Sequence, residues 1–145
     1  MKVYSGIALV LVSAVVGCST MHEQPEVAAA AHNDSGSGLA QKGDLDGAIR
    51  EYRQALSLNP NDAMAHSNLG TALSLKGDVD GAILELRQAL RLKPNDSGDH
   101  SKLCAALMQK RDFDGALHEC LQAIRLNPRN AAAFSNSGYR VCTER

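Results

Sequence analysis

The chain has 145 residues, a length that fits one domain. Its 15 basic and 16 acidic residues nearly cancel, so neither a basic stripe for nucleic acid nor an acidic solvated tail is expected. Trp is absent and Tyr and Phe together number five (3 + 2), so the core must be built from Leu, Ala, Ile and Val, as in helix-on-helix packing. Four Cys with no CxxC pair are too few for a disulfide-framework mini-protein.

The first element is MKVYSGIALVLVSAVVGC, residues 1–18. One early Lys precedes an almost unbroken apolar run to Val16, which falls short of the roughly 20 apolar residues that span a bilayer. Basic start, apolar middle and small-residue exit are the layout of a secretory signal peptide. The exit itself, Val15-Val16-Gly17-Cys18, resembles the bacterial lipobox. That resemblance implies removal of residues 1–17, lipidation of Cys18 and a mature chain anchored to the membrane. An ordinary signal peptide with a chance Cys, or an uncleaved anchor, also satisfies these residues. Residues 18–31 follow as a tether, in which Pro25 interrupts helix and an Ala run can begin one.

From residue 32 to 145 the chain repeats itself. GDLDGAIREYRQALSLNP (43–60) returns as GDVDGAILELRQALRLKP (77–94) and RDFDGALHECLQAIRLNP (111–128). Pro60, Pro94 and Pro128 are 34 residues apart, as are Ala48, Ala82 and Ala116, and His32, His66 and His100. A fixed period of this size is the mark of a helical repeat array. The pattern resembles the tetratricopeptide repeat. Residues 63–96 carry Leu69-Gly70 and Leu73 on a first helix and Ala82, Leu86, Ala89 and Pro94 around a second. Residues 97–130 carry Leu103, Leu107, Ala116, Ala123 and Pro128, with Cys104 in the Gly place and Cys120 in an aromatic place. Residues 29–62 match through Ala48, Tyr52, Ala55 and Pro60, but their first half has Ser35 at the Leu position and two Gly in helix territory. The resemblance implies an all-α fold: a short right-handed α-solenoid of helix hairpins. Residues 131–145, with Phe134, Gly138 and Val141 in first-helix places, would be a C-terminal capping helix over the last hairpin. The weak first half predicts a frayed N-terminal helix in a domain near the minimum repeat number.

The punctuation of the repeat has physical reasons. Asp44, Asp78 and Asp112 stand where an N-cap belongs, and Asp46, Asp80 and Asp114 suit the first-turn dipole. Gly47, Gly81 and Gly115 take the place of the Glu that would complete a capping box. Gly43 and Gly77 can adopt the left-handed cap that ends a helix. Arg111 holds that place in the third repeat, so the turn there is strained or built differently.

No nucleophile elbow, P-loop or HExxH occurs, so no catalytic residue, cofactor or metal is expected. His32, His66 and His100 recur with the repeat and are separated by at least one helix-packing distance, roughly 8–10 Å, whereas zinc ligands lie about 2 Å from one ion. They are expected to be half-buried packing residues in the family's Trp place, with His118 facing solvent. Cys104 and Cys120 are equidistant from the turn near Asp112 and should face each other. Either a disulfide, closing a loop worth about 3 kcal/mol, or two buried thiols satisfies the sequence. Cys142 is left over.

Some members of the family grip a partner's C-terminal carboxylates with Lys and Asn on first helices. Only Asn68 and Lys102 fall in such places here, and the first repeat offers Asn33 and Ser37 instead, so the resemblance does not extend to that grip. What remains is a concave face of first helices, with Met64, Ser67, Thr71, Ser74, Ser101, Ala105, Met108, Ser135 and Tyr139 as candidate contacts for an extended peptide or a partner's helix. The expected function is a non-catalytic protein- or peptide-binding scaffold. It would hang by Cys18 from a bacterial membrane, face the extracytoplasmic space (the periplasm in a Gram-negative cell) and support an envelope complex. The alternative is a non-catalytic accessory subunit or fragment of a larger enzyme. No nucleic-acid partner is expected, and the sequence does not set the oligomeric state.

Overall fold

A computed structural model of the chain describes residues 25–129. Six helices run through them, with no strand: α1 (Pro25–Gln41), α2 (Leu45–Leu58), α3 (Ala63–Lys76), α4 (Val79–Leu92), α5 (Ser97–Gln109) and α6 (Phe113–Leu126). Each odd-numbered helix folds back on the even-numbered one after it, and each hairpin stacks on the next through α2 against α3 and α4 against α5. The odd helices also touch one another, α1 with α3 and α3 with α5, so they share one side of a short right-handed solenoid. The signal segment, Cys18 and the capping segment 131–145 lie outside the described residues.

Local chemistry starts and stops the second helices in the same way each time. Asp44, Asp78 and Asp112 accept hydrogen bonds from the backbone N–H of Gly47, Gly81 and Gly115, at 2.8, 3.0 and 3.0 Å. Such a cap contributes about 1 kcal/mol. The glycines are there to admit the cap: a Cβ at Gly81 or Gly115 would lie 2.6 or 2.7 Å from the capping carboxylate. In the turns before α2 and α4, Gly43 and Gly77 take φ of 83° and 87°. Arg111 adopts the same left-handed conformation, φ 64°, so the third turn is built like the others at a steric cost. Arg111→Gly is therefore expected to stabilise the domain by about 1 kcal/mol, read as a higher denaturant midpoint; no rise would mean the arginine side chain compensates for its backbone.

The core is a chain of cells, one per junction between hairpins. The first joins Ala48, Ile49 and Tyr52 of α2 to Leu69, Ala72 and Leu73 of α3 and Ala82 of α4. The second joins Ile83 and Leu86 to Leu103, Cys104, Ala106 and Leu107 of α5 and Ala116 of α6. One contact recurs within each hairpin. Gly36 lies bare against Tyr52, where a Cβ would be 2.7 Å from the ring, and Gly70 against Leu86, where it would be 2.8 Å from Cγ. In the third hairpin the same two places hold Cys104 and Cys120, joined by a disulfide with Cα atoms 5.4 Å apart.

Two expectations at the N-terminal end are corrected. The tether does not reach residue 31, because Pro25 opens α1. At a helix start its missing N–H costs nothing, and the Ala run continues the helix. Nor is the weak first half frayed: α1 is helical from Pro25 to Gln41. Gly36, one of the two Gly in helix territory, makes room for Tyr52, and polar bonds replace the lost Leu: Asn68 Nδ2 donates to buried Asn33 Oδ1 at 3.0 Å, and the Tyr52 hydroxyl meets Ser37 Oγ at 3.4 Å. At the other end, Leu117 of α6 is exposed where its repeat equivalents Ile49 and Ile83 are buried by the next hairpin. That is the face the capping segment is expected to cover.

Candidate binding groove

A shallow hollow of about 180 Å³ lies where α1, α2 and α3 meet, with Lys102 of α5 also lining it. Its walls are mostly apolar, from Ala40, Leu45, Tyr52, Ala72 and Leu75, with Asn68, Thr71 and Lys102 supplying polar groups. The Thr71 hydroxyl donates back to the Ser67 carbonyl at 2.9 Å. Leu75 is 69% exposed here, a large apolar side chain left mostly open to solvent.

Sequence reasoning placed some of the groove and missed the rest. Thr71 lines the hollow, and Ala105 lies half-buried on α5. Ser74 Oγ donates across to Gln109 Oε1 at 3.2 Å, and Ser101 Oγ donates back to the Ser97 carbonyl at 2.9 Å. Met64 is exposed but is not among the residues of the hollow. One candidate is withdrawn by burial: Ser67 is 4% exposed with its hydroxyl donated to Asp99. Met108 is half-buried, packed against the second core cell. Ser135, Tyr139 and Cys142 fall outside the described residues. The missed members are Ala40, Leu45, Tyr52, Asn68, Ala72 and Leu75, together with Lys102 and the polar knot it belongs to beneath the groove. Lys102 Nζ donates to Asp99 Oδ1 at 3.0 Å and to Ser67 Oγ at 2.5 Å, and Asp99 is buried. One signal was visible: Asp99 stands where the preceding repeats have Ala65 and Ala31, and Lys102 where the second has Asn68.

The three histidines do not meet. Each Nδ1 pairs with a glutamate 19 residues on: His32 with Glu51 at 2.7 Å, His66 with Glu85 at 2.6 Å and His100 with Glu119 at 2.6 Å. The other ring nitrogen of His66 and His100 donates to the carbonyl of Pro60 and Pro94 at 3.0 Å, linking each hairpin to the one before. These side chains are joints between helices. Among the described residues no group of three or more His, Cys, Asp or Glu is placed to hold a metal ion. At the rim, Lys76 donates to Asp46 and Lys110 to Asp80, again one repeat apart. The hydrogen bond and charge of Lys76 hold the Asp46 carboxyl below the usual carboxylate range. Both pairs are exposed and add little to stability.

Residues 36–77 match a family model described as TPR repeat, and residues 63–96 match one described as tetratricopeptide repeat. Between them, residues 36–96 carry the tetratricopeptide-repeat pattern. Solved structures with the same fold include the first TPR of Spaghetti (RPAP3) bound to the HSP90 peptide SRMEEVD, at 19% identity, TM-score 0.74, covering 77% of this chain and 88% of that one. The TPR2B domain of yeast Sti1, in a complex with pHsp70, has 21% identity and a TM-score of 0.69, covering 75% of this chain and 88% of that one. The crystal structure of MamA has 24% identity and a TM-score of 0.66, covering 72% of this chain but only 57% of that one. No curated protein matches this chain. The repeat therefore accounts for the glycines, caps and prolines read above.

Proposed function

We propose that this chain is a non-catalytic scaffold that binds a protein segment along the groove of α1, α3 and α5. The observation that carries this reading is the hollow itself, an apolar floor with exposed Leu75 and a few polar groups on one side of a TPR solenoid. Two structures of the same fold are complexes, with an HSP90 peptide in one and pHsp70 in the other, which supports peptide binding here. We further propose that the chain is anchored by a lipid on Cys18 to a bacterial membrane, on its extracytoplasmic side, and supports an envelope complex. The layout of residues 1–18 supports the anchor. The Cys104–Cys120 bridge supports an oxidising compartment, where such bonds persist. No helix among the described residues is long and apolar enough to cross a membrane.

The test uses full-length protein extracted from the membrane fraction. Its intact mass is expected to show a chain starting at Cys18 with added acyl groups, and proteins that copurify with it are expected to be lost from a Thr71→Glu, Leu75→Glu variant of unchanged helix content. An unmodified full-length chain in the soluble fraction would sink the anchor. An unchanged partner set would sink the groove.

A further inference from the structure

The groove has a charge pattern that the repeat makes legible. Asp34 on α1, Asn68 on α3 and Lys102 on α5 stand at one register position, 34 residues apart. Asn68 and Lys102 both border the hollow, and Asp34 is exposed at the α1 end of the row. A lysine at the edge of a peptide groove would ordinarily draw a carboxylate. This one is already engaged. Its ammonium donates to Asp99 and Ser67, the Ser67 hydroxyl donates to the same Asp99 oxygen, and Asp99 is 5% exposed. A buried carboxylate is costly without its cation, so the knot holds Lys102 in place and cancels its charge. With that pair neutral, the charge the row presents to a segment is the exposed carboxylate of Asp34.

Resting on the reading of this face as a peptide groove, we propose that its occupant is an extended segment with apolar side chains and a basic residue, and that acidic segments are turned away. The apolar side chain would sit between Ala72, Leu75, Ala40 and Leu45. The basic residue would face Asp34. The Asn68 amide, whose nitrogen is held by Asn33, would offer its carbonyl oxygen to a backbone N–H of the segment. Selection here comes as much from the repulsion of acidic segments by Asp34 as from the attraction of basic ones.

The probe is a set of labelled random peptides sorted by net charge, titrated at low ionic strength, where such selection is least screened. The folded chain is expected to prefer apolar, basic peptides over acidic ones by about tenfold, the order set by charge complementarity. Asp34→Asn, at an exposed site, is expected to weaken the basic peptides several-fold. Asp99→Asn, which leaves the Lys102 charge uncompensated, is expected to raise the affinity for acidic peptides. If Asp99→Asn does not fold, the Asp34→Asn comparison decides alone. A preference for acidic peptides in the unaltered chain, or indifference to Asp34→Asn, would overturn the charge assignment and leave the groove standing. Binding of no peptide class would overturn both.

Discussion

Leu86→Ala is expected to lower the unfolding free energy by about 2–5 kcal/mol, the range for a large aliphatic residue emptied from a packed core. Leu86 is 1% exposed and lies in the second core cell, on the middle hairpin. It also fills the space over Gly70, where a Cβ would be 2.8 Å from Leu86 Cγ. The cavity would thus open on both sides: toward Leu103 and Leu107 of the next hairpin and toward the bare backbone of its own. In a solenoid each hairpin is held by its neighbours, so a loss in the middle weakens both junctions. Small domains have only about 5–15 kcal/mol to lose, and the variant is expected to unfold at a much lower denaturant concentration with a broader transition. Leu84→Ala, on the same helix but 67% exposed, is the control and is expected to be near neutral. Equal effects from the two changes would show that α4 does not present the face described.

The hairpins were legible in the sequence because the same physical requirement is written three times. Each cap needs an Asp, each close approach needs a small residue, and each stop needs a Pro, so one period exposes them all. Two kinds of feature escaped this reading. Gly36 looked like a broken helix, because its need for a glycine comes from Tyr52, 16 positions away and across a turn. The glutamates bonded to the histidines escaped for a similar reason, although Glu51, Glu85 and Glu119 share the period. The groove was the least legible part. Ser67 sits on the correct helix, yet a one-residue turn around that helix carries it out of the groove and under Asp99. Asp99 itself reads as an ordinary first-turn acid; only its place between two packed helices makes it a buried charge with a structural partner.

Opening the Cys104–Cys120 bridge is expected to cost about 3 kcal/mol, the loop-closure entropy of a crosslink at a separation of 16 residues. The bridge replaces a noncovalent contact that the other hairpins make between the same two places, Gly36 with Tyr52 and Gly70 with Leu86. The third hairpin thus gives up a large side chain on its second helix, and a covalent bond stands in for the packing. It does so where the described solenoid ends and Leu117 lies exposed, so among the described helices α6 has fewer neighbours than α2 or α4. Reduction is therefore expected to lower the unfolding midpoint and to free α6 first, seen as faster amide exchange there than in α2 and α4. A Cys104→Gly, Cys120→Leu variant restores the contact of the second hairpin. It is expected to regain part of the lost stability and to be indifferent to reductant. If reduction leaves both the midpoint and the α6 exchange unchanged, the third hairpin is held by packing alone and the bridge adds nothing to it.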